Sequence, residues 1–189
     1  AALTDPGDIV ISSNPNRVTG TGWTLQELDS IAQAVPDGLL IIDEYYYDFH
    51  GISADSLFDH HGNIVILRSP APSVGVTSDA GYLIASPHRI DRLLQARVLG
   101  SVSAADMKLL TESMYTVESF VGRLRVMHDE SLRMVGELAQ MGAHCRITPF
   151  NCLLIRVADP TAVGNHLARH KIAVENLDGY PGLKNYIRV

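Results

Sequence analysis

Residues 38–49 read GLLIIDEYYYDF, an apolar run that stops on two acids, Asp43 and Glu44, and then a run of tyrosines, Tyr45 to Tyr47. Consecutive Leu and Ile with no polar residue between them suit a strand buried on both faces, as strands of a parallel sheet are. Continued through the tyrosines, the strand points Tyr45 and Tyr47 one way and Tyr46 the other, which predicts an exposed aromatic face suited to an interface. Residues 63–68 (NIVILR) and 81–86 (GYLIAS) repeat the apolar pattern downstream, and residues 8–14 (DIVISSN) precede it. Thr24, with Glu27 three residues on, stands ahead of LQELDSIAQAV at the spacing of a capping box that opens an amphipathic helix. Strands separated by helix or turn predict an α/β sheet of parallel or mixed strands.

From Pro87 the character changes. Residues 88–99 are amphipathic, and a single helical pattern runs from Ala104 to Met141 with Gly142 as its C-terminal stop. Beyond it, CLLIRVAD reads as a strand, PTAVGNHLARHK as a helix, and IAVENL and NYIRV as short strands. The expected division is therefore residues 1–95, part of an α/β domain, and residues 96–189, a long helix with a small α+β domain.

Composition narrows the function classes. The chain has 189 residues, 46% of them hydrophobic, and a net charge of −6, which excludes a broad basic footprint for nucleic acid or an anionic membrane. No apolar run reaches the ~18–20 residues needed to cross a bilayer. The opening AALTDPGDIV shows no signal-peptide pattern, and with two cysteines, Cys145 and Cys152, a cytoplasmic, reducing setting is expected. His166 and His170 share a helix face and His60-His61 adjoins Gly62, but no Cys, Asp or Glu at suitable spacing completes a metal site, and none is expected. Only three lysines are present, Lys108, Lys171 and Lys184, so any chemistry that needs an amine draws on those.

The order of landmarks resembles the fold-type I pyridoxal-phosphate aminotransferases of class I/II, in particular the histidinol-phosphate aminotransferase-like branch. The matching blocks are Asn14-Pro15-Asn16 with Thr19-Gly20-Thr21, Asp43-Glu44 with Tyr46 and Phe49, Asn63-Ile64-Val65 with Arg68-Ser69, Gly81-Tyr82-Leu83-Ile84, Asn151-Cys152-Leu153-Leu154, and Tyr180-Pro181-Gly182-Leu183 with residues 185–189. The resemblance implies part of an aspartate aminotransferase-like large domain followed by a C-terminal α+β small domain. It also implies roles. Asp43 would pair with the cofactor's ring nitrogen, Tyr46 with its 3-oxygen and Ser69 with its phosphate, and Arg188 would fork onto a substrate carboxylate. Enzymes of this family are dimers that build each cleft from both subunits, so a homodimer or a partner chain is expected.

The departures from the family pattern set the functional expectation. Where the family has Ser-x-Ser-Lys, this chain reads Ser69-Pro70-Ala71-Pro72, so Pro72 stands at the lysine position. That amine serves the family first as covalent tether and then as base, and proline supplies none. The family's phosphate-binding arginine is missing from Thr77-Ser78-Asp79-Ala80, Arg17 stands where the family has a ring-contacting asparagine, and Glu175 replaces a frequent arginine. The resemblance begins in the middle of the large domain, so the chain reads as truncated. No catalytic residue is assigned and no covalent cofactor is expected; any pyridoxal phosphate would bind non-covalently through Asp43, Tyr46 and Ser69, unless these are inherited scaffold. Arg188 and Arg17 are the candidate contacts for a small amino-acid-like or anionic ligand, the alternatives being a strand arginine paired with a carboxylate and a solvated loop arginine. The expectation is a protein inactive as a transaminase that acts in binding or assembly. The alternatives are an enzyme that reuses the cleft without the cofactor, and one part of a split aminotransferase.

Overall fold

In the computed structural model, residues 7–75, 78, 80–96, 102–115, 117–150 and 152–189 are described. Their contacts divide the chain into two compact units, Ala1–Asn16 with Gly22–Phe120, and Arg17–Thr21 with Val121–Val189.

The first unit is built on a four-stranded sheet in the order β1 (Ile9–Ser13), β2 (Leu39–Asp43), β3 (Ile64–Arg68) and β4 (Tyr82–Ala85). The first three strands are parallel and β4 runs antiparallel to β3, the mixed sheet expected from the apolar runs. Helix α1 (Leu25–Ala34) connects β1 to β2 and opens with the capping box: the Thr24 amide donates to Glu27 Oε2 at 2.8 Å, and the Glu27 amide to Thr24 Oγ1 at 3.3 Å. The Thr24 bonds hold the Glu27 carboxyl below its ordinary pKa. Leu28 and Ala32, four residues apart and so on one helix face, pack with Leu40, Ile42, Ile64 and Ile66 into the core. Asn63 closes the far end of α1 from the start of β3. Its buried amide nitrogen donates to the carbonyls of Ala32 (3.0 Å) and Val35 (2.7 Å), two of those a helix end leaves unpaired.

The opposite sheet face departs from expectation. It is not buried throughout, for Ile9 and Ile11 on the edge strand are 62% and 70% exposed. Among the described residues, the cover that a parallel strand ordinarily has on both sides is missing at these two positions.

Strand β2 also stops earlier than the sequence suggested. Asp43 Oδ1 accepts the Tyr45 amide at 3.0 Å, a turn made by a side chain reaching two residues on. The chain then enters a one-turn helix, α2 (Tyr47–His50). Tyr45, Tyr46 and Tyr47 therefore do not alternate along a strand, and all three are half-buried rather than forming an exposed face. Tyr45 packs edge-on against Tyr46, with ring centroids 5.1 Å apart, and Tyr46 packs against Phe49.

After β3 come the one-turn helix α3 (Ala71–Val74), then β4 and α4 (Pro87–Gln95). The single helix expected over 104–141 is two, α5 (Ala104–Met114) and α6 (Val117–Gln140), with Tyr115 in a turn and residue 116 outside the described set. Val117, the first residue of α6, is β-branched, and such residues favour a helix less than Leu or Ala do. Among the described residues no helix is long and apolar enough to cross a membrane.

The second unit has a fully antiparallel sheet in the order β5 (His144–Ile147), β6 (Leu153–Arg156), β8 (Tyr186–Arg188) and β7 (Glu175–Asn176). Strand β5 was not anticipated, because HCRI mixes apolar and polar residues and offers no continuous run. Gly142 ends α6 in the left-handed region (φ 80°), and the Ala143 amide reaches back to the Leu138 carbonyl at 2.9 Å. Helix α7 (Pro160–Arg169) is capped by Asp159, which accepts the Ala162 amide at 2.8 Å. Apolar clusters cover both faces: Leu153, Ile155 and Ile187 with side chains of α6 and α7, and Leu154, Leu177 and Leu183 with Val18 and Tyr186.

Candidate functional site

The C-terminal ends of β2 and β3 carry the candidate residues of the first unit. Asp43 and Ser69 line one open depression of about 420 Å³, together with Tyr45, Arg68, Ser78 and the Ala80-Gly81 backbone. Tyr46 sits beside it, between Tyr45 and Phe49, and Tyr45 is the tyrosine on the lining. Asp43 has one carboxylate oxygen on the Tyr45 amide. The Ser69 hydroxyl is buried, donates to the Ala80 carbonyl at 2.7 Å and accepts the Ala71 amide at 3.2 Å. Pro72 lies in α3, the turn of helix that follows Ser69. Of the stretch compared with the family's phosphate arginine, Thr77 and Asp79 lie outside the described residues, as does Asn151. Ser78 is described and donates to Asp106 Oδ1 at 2.9 Å. Hydrogen bonds from Ser103 and Ser78 lower the pKa of the Asp106 carboxyl, which thereby fastens the loop to the start of α5.

The strongest polar construction here is one that sequence reading passed over. Glu44 is fully buried, and one of its oxygens accepts both Nε (2.9 Å) and Nη2 (2.8 Å) of Arg68. Its other oxygen accepts the Ala54 amide at 2.8 Å. The Arg68 guanidinium also donates to Ser53 Oγ at 2.5 Å and lies 3.7 Å from the Tyr47 ring centroid. Burial works to lower the Arg68 pKa, but the bonds to Glu44, with Tyr82 adding to them, raise it overall. The signal was present in the sequence. Glu44 stands two residues past Ile42 and Arg68 two past Ile66, so both charges fall on the core-facing phase of neighbouring strands.

Arg188 and Arg17 belong to the second unit, and the chain brings them together. Arg188 Nη1 donates to the backbone carbonyl of Arg17, whose own residue is exposed, and Nη2 donates to the Glu175 carboxylate. Cys152 is close enough for these charges to act on its thiol. Burial raises its pKa first, Arg188 works to lower it, Glu175 to raise it and Arg17 to lower it, and the sum is upward.

The histidines stand elsewhere. His61 Nε2 is 2.6 Å from Asp29 Oδ1, and His60, His61 and Arg89 line a separate depression of about 460 Å³. The rings of His166 and His170 lie 5.0 Å apart. Among the described residues no three His, Cys, Asp or Glu side chains are gathered as a metal ion requires.

Histidinol-phosphate aminotransferase of Chlorobaculum tepidum is 26% identical over 191 residues, covering 100% of this chain and 55% of the relative. That of Chlorobium phaeovibrioides is 30% identical, with 96% and 51% covered. The chain thus spans about half the length of the curated relatives it matches. Among solved structures, histidinol-phosphate aminotransferase from Sinorhizobium meliloti in complex with pyridoxal-5′-phosphate superimposes with a TM-score of 0.83 at 18% identity, over 95% of this chain and 51% of that one. L-threonine-O-3-phosphate decarboxylase from Porphyromonas gingivalis gives 0.79 at 17% identity, over 96% of this chain and 58% of that one. These likenesses establish the fold as that of the fold-type I enzymes. The model of the family described as aminotransferase class I and II matches residues 1–189, the whole sequence, and the chain therefore belongs to that family.

Proposed function

We propose that this chain no longer transaminates and acts through binding or assembly, without a covalently attached cofactor. Pro72 carries the reading. Its nitrogen is part of the backbone and cannot form an imine with an aldehyde, and residues 69–81 contain no lysine. The site's geometry supports the same view. A phosphate approaching Ser69 would have to compete with the Ala80 carbonyl for the hydroxyl proton. Lys108 is in α5, Lys171 follows α7 and Lys184 precedes β8, so none lies on the turn after β3. On this reading Asp43 and Tyr46 retain the capacity for weak, non-covalent contact with a ring, and Arg188 and Arg17 mark the end at which a small amino-acid-like or anionic ligand would be read, with the Glu175 carboxylate already on Arg188. Cys145 and Cys152 are both free thiols, which suits action in the cytoplasm.

The test is to mix the protein with pyridoxal phosphate, reduce with borohydride and map any modified lysine by mass spectrometry. No adduct on a lysine facing the depression, and no amino-group transfer from glutamate to a keto acid, is the expected result. An adduct there accompanied by transfer would defeat the reading.

A second reading, that the chain works as one part of a two-chain assembly, is favoured by the uncovered sheet face at Ile9 and Ile11. A protein surface is the cover that suits such an apolar face. Sedimentation of the chain over a concentration series is expected to show self-association; a monomer throughout would count against a homodimer and leave a different partner chain as the form to seek.

A further inference from the structure

Strand pairing sets Glu175 of β7 directly opposite Arg188 of β8. The Arg188 side chain is 9% exposed, a low figure for a charged group, whereas that of Glu175 is 42% exposed. Beside the guanidinium stand the Glu175 carboxylate on Nη2, the Arg17 carbonyl on Nη1, and the Phe150 ring with its centroid 5.8 Å from Cζ. Guanidinium recognises a carboxylate through two parallel N–H donors and opposite charge. At Arg188 the charge is already matched by a carboxylate of the same chain, and the second terminal nitrogen is already donating.

We infer that Glu175 is an intramolecular stand-in for an anionic ligand: it occupies Arg188 and excludes external carboxylates from it, so the chain selects for ligands that carry no negative charge at that end. This rests on the reading of Arg188 as a ligand-binding arginine and adds to it which ligands the arginine refuses. The physical grounds are local. The β7–β8 ladder holds Glu175 in register, so its effective concentration at the guanidinium is that of a tethered group, which a free acid must exceed to compete. An anion that entered without displacing Glu175 would set two carboxylates against one cation in a shielded setting, where like charges repel strongly.

The probe is succinate, titrated by calorimetry into the wild type, into Glu175→Gln and into the double variant Glu175→Gln with Arg188→Lys. Glu175→Gln is expected to bind succinate at least roughly tenfold more tightly than the wild type, the scale of one charge-assisted pair, and the double variant is expected to lose that gain. Equal binding by wild type and Glu175→Gln, lost in the double variant, would overturn the role of Glu175 and leave Arg188 as an anion site. No binding gain in Glu175→Gln, with affinity unchanged in the double variant, would overturn the reading of Arg188 itself. If Glu175→Gln does not fold, the wild type alone decides through the Arg188 side-chain Nε–Hε signal in ¹⁵N-labelled protein. That signal is expected to stay fixed as succinate rises, and a saturable shift at millimolar succinate would overturn the inference.

Discussion

The two sheets of this chain are covered in different ways. The first packs Leu40, Ile42, Ile64 and Ile66 against α1 on one side, while Ile9 and Ile11 stand open on the other. The second, smaller sheet has an apolar cluster on each face, Leu153, Ile155 and Ile187 on one and Leu154, Leu177 and Leu183 on the other. An antiparallel sheet can be covered by helices carried in its own connections, whereas parallel strands depend on crossover layers on both sides. The first unit has one such layer among the described residues, and polar ties do much of its fastening: Glu44 with Arg68 between strand ends, and Asn63 on the end of α1.

The contrast can be broken most forcefully at Arg68. Arg68→Met leaves the Glu44 carboxylate buried without its partner, and a loss of about 3–5 kcal/mol is expected in urea denaturation. Pairing it with Glu44→Leu should recover much of that loss, because the cost lies in the unpaired charge. In the second sheet, where packing carries the weight, Leu154→Ala is expected to cost about 2–5 kcal/mol. Ile11→Ser, on the open face, should stay within about 0.5 kcal/mol for the isolated chain. A large loss from Ile11→Ser would mean that the open face is covered in solution. Asn63→Ala removes the side-chain bonds to the Ala32 and Val35 carbonyls, which keep the Val35 and Gly38 amides as partners, and is expected to lower stability by about 1–2 kcal/mol, read from the same denaturation curves.

The smallest expected effect concerns pH. Burial lowers the pKa of His50, whose Nε2 is buried with no hydrogen-bond partner among the described residues. The folded chain therefore favours the neutral ring, and the unfolded chain takes up the proton first. This contribution is fully present above the ordinary histidine value of 6.5 and is lost as pH falls through the depressed folded value. Between pH 7 and pH 5 the Tm should fall less in His50→Gln than in the wild type, and equal slopes would remove His50 from the account.

Much of this was legible beforehand because it is local. The capping box at Thr24 and Glu27, the stop at Gly142 and the apolar runs of β1 to β4 follow from propensities that act over a few residues. The tyrosine run misled for a related reason: hydropathy alone continues the strand, and nothing local outweighs it until Asp43 is seen turning back on the Tyr45 amide. Strand β5 was missed because its two faces meet different neighbours, and that requires knowing which strand pairs with which.

The amino-acid sequence by itself determined the chemistry on offer: no amine between Ser69 and Gly81, a proline at residue 72, and an acid at Glu175. Only the tertiary structure decided what those groups face. Glu44 meets Arg68, and Glu175 meets Arg188, because strand register sets residues 24 and 13 positions apart side by side. Charges reach across space through pairing and burial, and neither is written in the spacing of residues along the chain.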